Sequence, residues 1–419
     1  QRRQGPHCNP PLSGFTPCPA VGTLQGMAFT KSPNQASSFR GLNNVTDPLR
    51  LGLRWLVQAD NVDITDTGAI EKRAGYNKTF TGALSDAYAT LDFERLYVVD
   101  GGVLSAMAGP AAATPLVTGL SAAPMHFTEV NEQVFFNNGA ESGIVNPDGT
   151  VLEWRWESPG APSVAAVTGD VPAGLYQVRC TYVLPDGRET GASESVEIVL
   201  TDGQALQITG IPSTAGYTTR VYIAPADSTV FQLARSGGAD FVWNSSPDTL
   251  GVDLWNHQMH PLPLGADVVQ AWKGRMYAAQ YFPQDNQTAI WFSHPMGFHL
   301  FDLGQDFILV TGRVLMLAPT LDALVIGTDS QIHAYSGEGI SVLAPYGVVP
   351  GQHWSEDAGR TLFWTTRGLC AALPFVNLTE RQVSVSPGTH AGGALVQQGG
   401  RKRYLVALRQ GGAAFNPHL

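Results

Sequence analysis

The chain has 419 residues, a formal net charge of −10 at pH 7 and only 14% charged residues. That length holds two or three domains with sizeable cores, and the acidic balance argues against broad nucleic-acid affinity, which rests on Lys and Arg neutralising phosphates. No apolar run approaches the 18 or so residues of a membrane-spanning helix.

With 46 glycines and 28 prolines, the composition favours many short strands joined by tight turns. So sparse a charge suggests that much of the surface faces other protein. The four cysteines, Cys8, Cys18, Cys180 and Cys370, fit no metal spacing. Free thiols are expected, with Cys8 and Cys18 pairing only in an oxidising compartment.

In chain order, residues 1–38 are rich in Pro, Gly, Ser and Asn without a period, and read as an extended arm. The opening Gln1-Arg2-Arg3-Gln4 has neither an initiator Met nor an apolar signal core, and reads as a processed or trimmed end. From residue 39 to 159 hairpin signals follow one another. Val62 and Ile64 precede a tip at Asp66-Thr67-Gly68, with Ile70 beyond it; Arg95–Val99 and Val103–Met107 flank Gly101-Gly102; Gln133–Phe136 and Ser142–Val145 flank Asn137-Asn138-Gly139.

Residues 160–262 read differently. Gly174–Val183 alternates strictly, with Tyr176, Val178, Cys180 and Tyr182 on one face and Leu175, Gln177, Arg179 and Thr181 on the other. Short runs at 195–200, 205–208 and 218–223 complete the pattern of an inserted immunoglobulin- or fibronectin type III-like sandwich. The insert is expected to leave and rejoin a loop with its ends close together.

The hairpin signal resumes over 263–419: Arg275–Ala279 with Thr288–Ser293, Leu324–Thr328 with Gln331–Tyr335, Thr361–Thr365 with Leu369–Leu373, and a truncated copy at Arg403–Leu408. Markers at Leu96, Val134, Met276, Leu324, Leu362 and Tyr404 are spaced 38, 142, 48, 38 and 42 apart. Apart from the step that spans the insert, these approach the ~40–45 residues of a four-stranded propeller blade. The expected fold is therefore all-β: a β-propeller of about five or six blades, formed by 39–159 and 263–419 and interrupted by the sandwich. A sandwich or an irregular β protein is the alternative.

The segment Gly41-Leu42-Asn43, Ala59-Asp60-Asn61-Val62-Asp63-Ile64, Asp66-Thr67-Gly68, Lys72-Arg73 and Gly75-Tyr76 resembles the opening of virion structural proteins of tailed bacteriophages, whose best-known relatives are the β-propeller tail nozzle subunits of short-tailed phages. Val314–Pro319, Ala323–Gly327 and Ile332–Gly337 resemble that family's blade pattern. The resemblance implies a virion protein at the distal end of a phage tail. It would form a homohexameric ring docked to a tail adaptor protein, contact tail fibres or spikes, and conduct and retain DNA in its lumen without binding it specifically.

No His-Glu-x-x-His, Gly-x-Ser-x-Gly or Gly-Lys-Ser/Thr pattern occurs, and no catalytic, metal or cofactor-binding residue is expected. Ser355, Asp357, Gly359 and Thr361 match the core of an Asp-box, a turn device of sialidase-type propellers in which Ser, Thr and Asp satisfy backbone groups. A sialidase-like hydrolase is one alternative function. A receptor- or glycan-binding propeller is another, with Trp272, Trp291, Trp354, Tyr277, Tyr281 and Phe292 as platform candidates, though aromatics on blade strands usually fill cores. His257, His260, His294 and His299 suggest metal ligands, but Pro261 and Pro263 deny the helix that a spacing of three would need. Arg401-Lys402-Arg403 reads as a solvated turn, and five sequons, at Asn44, Asn77, Asn244, Asn286 and Asn377, would matter only in a secreted protein.

Overall fold

A computed structural model describes residues 38–410 except 74, 76–81, 83, 110, 111 and 399; the arm (Ser38 apart), the Cys8/Cys18 pair and the Asn77 sequon lie outside the described residues. The described chain is all β, interrupted only by a 3-10 turn at Pro247–Thr249.

Five meandering antiparallel sheets follow one another. Sheet 1 comprises Leu84–Ala89, Leu96–Asp100, Val103–Met107 and Ala113–Thr118; sheet 2 comprises His126–Val130, Gln133–Asn137, Ser142–Val145 and Val151–Glu153. Sheet 3 has Ala266–Trp272, Arg275–Phe282 and Gln287–His294, with both Gly297–Phe301 and Phe307–Thr311 paired to its third strand. Sheet 4 runs Val314–Pro319, Leu324–Thr328, Ile332–Tyr335 and Ile340–Ala344; sheet 5 runs Ser355–Asp357, Arg360–Thr365, Gly368–Ala372 and Val376–Asn377.

The turns explain the register. Gly101 and Gly102 take φ of 57° and 78°, the paired left-handed conformation of a two-residue hairpin turn whose twist matches its strands. At Gly102 a β-carbon would also lie 2.7 Å from the Leu120 carbonyl oxygen, so glycine is required twice over.

Every predicted hairpin forms, with one correction at the end of the chain. Residues 403–408 are no truncated copy: Arg401–Arg409 pairs along its whole length with His390–Gln398. The partner strand contains Gly392-Gly393, a poor strand signal. Packing explains one of these glycines, since a β-carbon at Gly393 would stand 2.3 Å from the Tyr404 hydroxyl.

Each sheet shares a core with the next. Tyr97, Leu104, Phe127 and Phe136 join sheets 1 and 2; Phe135, Ile144, Val269 and Met276 join 2 and 3; Tyr277, Ile290, Leu317 and Ile326 join 3 and 4; Met316, Val325, Phe363 and Cys370 join 4 and 5. Trp364 of sheet 5 packs with Ala391 and Leu408 of the last ribbon.

Between sheets 2 and 3 lies a two-sheet sandwich. One sheet is Ser163–Thr168, Gln204–Thr209 and Phe241–Trp243; the other is ordered Val196–Leu200, Gly174–Val183, Thr218–Ala224, Gln232–Ser236. Its core holds Tyr176, Val178 and Cys180 against Leu206, Ile208 and Trp243, so the alternation read along Gly174–Val183 selects the buried face. Trp154 before the sandwich and Leu262 after it sit in one core cluster of sheets 2 and 3.

Residues far apart in sequence clasp the two ends of the described chain. Val62–Ile64 pairs with Ile70–Lys72, and the hairpin's carboxylates meet the last strand: Asp63 to Arg403 at 2.8 Å, Asp66 to Arg401 at 3.8 Å and Glu71 to Arg401 at 3.7 Å. The basic run is thus a clasp, with Lys402 turned to Asp357. Asn44 adds a two-way bond: its Nδ2 donates to the Ser384 carbonyl at 2.9 Å and its Oδ1 accepts from the Ser384 amide at 2.7 Å. A double-mutant cycle on Asp63 and Arg403 is expected to give a coupling of about 0.5–1 kcal/mol in low salt, falling as salt rises, because both side chains stay partly exposed. Urea unfolding measures it, and zero coupling at low salt would contradict the clasp.

Candidate functional site

The residues that the sequence singles out form no common surface: Trp272, Tyr277 and Phe292 cluster, but in a core. Trp272 and Tyr277 pack at 5.7 Å in the core between sheets 3 and 4, Trp291 lies 5.0 Å from Phe307 beside the neighbouring core, and Trp354 packs against a third. They are filler, and form no platform. Among the four histidines, His294 lies 4.8 Å from Trp255, His260 pairs through its backbone with Phe301, the His257 carbonyl accepts from Arg179, and His299 Nε2 sits 3.0 Å from the Glu189 carbonyl oxygen. Among the described residues no three His, Cys, Asp or Glu side chains converge as metal ligands.

The Asp-box match makes its turn, with Gly359 at φ 81° between the paired Asp357 and Arg360, but its side chains bond across strands. Asp357 binds Lys402, Ser355 Oγ accepts from the Leu395 amide, and Thr361 Oγ1 donates to the Pro319 carbonyl. Each polar side chain ties its strand to a neighbour instead of closing its own loop. Asn44, Asn244, Asn286 and Asn377 all use their side chains in hydrogen bonds, as the Asn244 Oδ1 does toward the Asp170 amide at 2.8 Å.

A different group of residues does converge, where the sandwich meets the outer edge of sheet 2. Arg188, at the tip after Gly174–Val183, donates from Nε to Asp186 Oδ2 at 2.7 Å and from Nη2 to the Glu153 carbonyl at 2.9 Å. Gly191 packs on the segment that leaves the sandwich, where a β-carbon would stand 1.8 Å from the Met259 carbonyl oxygen. The junction leaves a cleft of about 710 Å³. Its lining takes apolar Val117 and Leu120 from the edge of sheet 1 and Leu152 from sheet 2, charged Glu141, Glu153, Arg155 and Glu157, and aromatic Trp156 and Tyr182.

Tyr217 completes the aromatic group, 4.6 Å from Trp156 and 6.1 Å from Tyr182 between ring centroids. All three are half-buried. Burial raises the Glu153 carboxyl above the usual range, with Arg155 and Arg188 partly opposing it. Hydrogen bonds from Asn138 and Ser121 hold Glu141 low and ionised. Trp156 Nε1, Arg155 Nε and Arg188 Nη1 are buried donors without an acceptor. Sequence reading missed this site because Trp156 lies in a linker, Tyr182 on a strand of the insert and Tyr217 in the loop before another strand.

No family model and no curated protein matches the chain. Solved structures similar to it include the extracellular domain of hybrid two component system BT4673 from B. thetaiotaomicron, at 10% identity and TM-score 0.28 over 74% of this chain and 35% of that one. Porphyromonas gingivalis dipeptidyl peptidase 4 gives 10% identity and TM-score 0.26 over 74% of this chain and 45% of that one. Citrobacter koseri AztD gives 14% identity and TM-score 0.26 over 78% and 92% respectively. The chain thus spans less than half the length of the first two.

Proposed function

We propose that the chain is a structural, non-catalytic subunit of a bacteriophage tail: a β-propeller whose copies form the nozzle ring at the tail's distal end. The five meanders and the last ribbon are its blades, which makes six units, and the sandwich is a fibronectin type III-like module carried on a loop between the second and third. Two facing sheets with strands crossing between them support that reading of the insert.

One observation carries the proposal. The residues that resemble phage virion proteins, Asp63, Asp66 and the neighbouring Glu71, are spent on clasping the chain's last strand. They work as a closure device, which is what a scaffold subunit needs. A ring of propellers requires a heterologous surface between neighbours, and a chain with only 14% charged residues suits that burial. The net charge of −10 per chain also suits a conduit for a polyanion, because Lys and Arg in the lumen would retain DNA through counterion release.

Native mass spectrometry with negative-stain imaging tests this. The expected particle is a six-fold ring of 44.7 kDa chains, about 268 kDa. A monomer at every concentration, or a ring whose lumen is lined mainly by Lys and Arg, would overturn it.

A further inference from the structure

The cleft between sheet 2 and the sandwich has features that the scaffold role does not use. Its volume, about 710 Å³, falls within the ~300–1,000 Å³ typical of small-ligand sites. Its wall combines three kinds of group. Trp156 and Tyr182 are its aromatic lining residues, and Tyr217 packs against both rings without lining it. Glu141, Glu153 and Glu157 offer acceptor oxygens. Trp156 Nε1 and Arg155 Nε are donors with no acceptor.

We propose that this cleft binds a neutral oligosaccharide. A pyranose ring presents apolar C–H faces that stack on aromatic side chains, while its equatorial hydroxyls both donate and accept. Carboxylates take the donated hydrogens, and the idle indole and guanidinium N–H groups take the hydroxyl oxygens. A buried donor without an acceptor costs about 1–3 kcal/mol, so a ligand that satisfies one gains that difference. Both donors are closed off from solvent in the free protein, so their pairing with the sugar requires the Trp156 and Arg155 side chains to reorient as it binds.

Charge selects the ligand class further. Three carboxylates line the cleft against the one guanidinium of Arg155, and that guanidinium is already paired with Glu157. A sulfated, phosphorylated or sialylated glycan would meet net repulsion, and a neutral chain meets none. The proposal does not depend on ring assembly, since every residue it uses lies on one chain.

The test titrates the full-length protein with neutral oligosaccharides (malto-, cello-, chito- and rhamnose-containing series) and with a sulfated counterpart, reading tryptophan fluorescence and calorimetry. Binding by at least one neutral series, with a fluorescence change, is expected. Trp156→Ala should weaken it about tenfold or more, as the loss of one aromatic contact and one donor implies. Glu153→Gln, which keeps the shape, should weaken it less while leaving the thermal midpoint unchanged. Trp255→Ala, an exposed tryptophan outside the cleft, should leave affinity unaltered. No neutral series binding at about 10 mM, corresponding to a Kd too weak for a built site, would overturn the proposal. So would equal affinity in Trp156→Ala, or tighter binding of the sulfated sugar.

Discussion

Trp154→Ala is expected to destabilise the protein by about 3–5 kcal/mol, the range for truncating a fully buried large aromatic. Trp154 is completely buried and meets Phe135 edge-on at 5.0 Å between centroids. Its indole N–H donates to the Phe298 carbonyl at 2.9 Å, so one side chain binds sheet 2 to sheet 3. Truncation leaves a cavity between the two sheets and orphans a carbonyl at once. Trp154 also precedes the sandwich directly and shares its cluster with Leu262, which follows the sandwich, so both connections of the insert loosen. Urea unfolding should show a lower midpoint, and limited proteolysis should cut first near residues 155–162. Trp154→Phe keeps most of the packing and should cost less than half as much. A loss under about 1 kcal/mol in Trp154→Ala would mean that the cluster does not couple the sheets.

The strands were legible in the chain where turn chemistry and period agreed. Asp100-Gly101-Gly102-Val103 declares its hairpin because glycine most readily supplies the two consecutive positive φ values of the turn. Tyr176, Val178 and Cys180 declare the sandwich's inner face by alternation alone. Where tertiary packing overrides local preference, the signal fails. His390–Gln398 is a nine-residue strand despite Gly392-Gly393, because Gly393 makes room for the Tyr404 ring.

Functional residues were harder to read for a related reason. Trp272 and Trp156 are the same residue type in sequence, and only the fold decides that one fills a core and the other edges a cleft. Likewise Arg401-Lys402-Arg403 looks like a solvated turn until the carboxylates of a hairpin some 340 residues away, the separation of Asp63 and Arg403, are brought to it. Charge pairs at that separation leave no local pattern. The sequence resemblance and the clasp therefore carry different information: one suggests a setting, the other shows what the resembling residues do.

Acidification from pH 6.5 to 4 is expected to remove about 3 kcal/mol of stability through His353 alone. The ring is wholly buried and both nitrogens are committed in the neutral form. Nδ1 accepts from the Trp364 amide at 3.0 Å and Nε2–H donates to the Val349 carbonyl at 2.7 Å. A proton on Nδ1 would face another N–H with no acceptor between them. Burial, with the nearby His126 adding to it, pushes the pKa from 6.5 down to about 4.

The folded pKa thus lies below the unfolded one. Between the two values the unfolded chain holds the proton and the folded chain does not. Stability is therefore full above pH 6.5 and is lost as pH falls toward 4. His299, also pushed down to about 4 by burial, adds a parallel loss, so removing His353 should reduce the slope without abolishing it. His353→Gln, compared with wild type by urea unfolding from pH 7.5 to 4, should be less stable at neutral pH and lose distinctly less on acidification. Identical slopes in the two proteins would show that His353 accepts its proton in the folded state as readily as in the unfolded one.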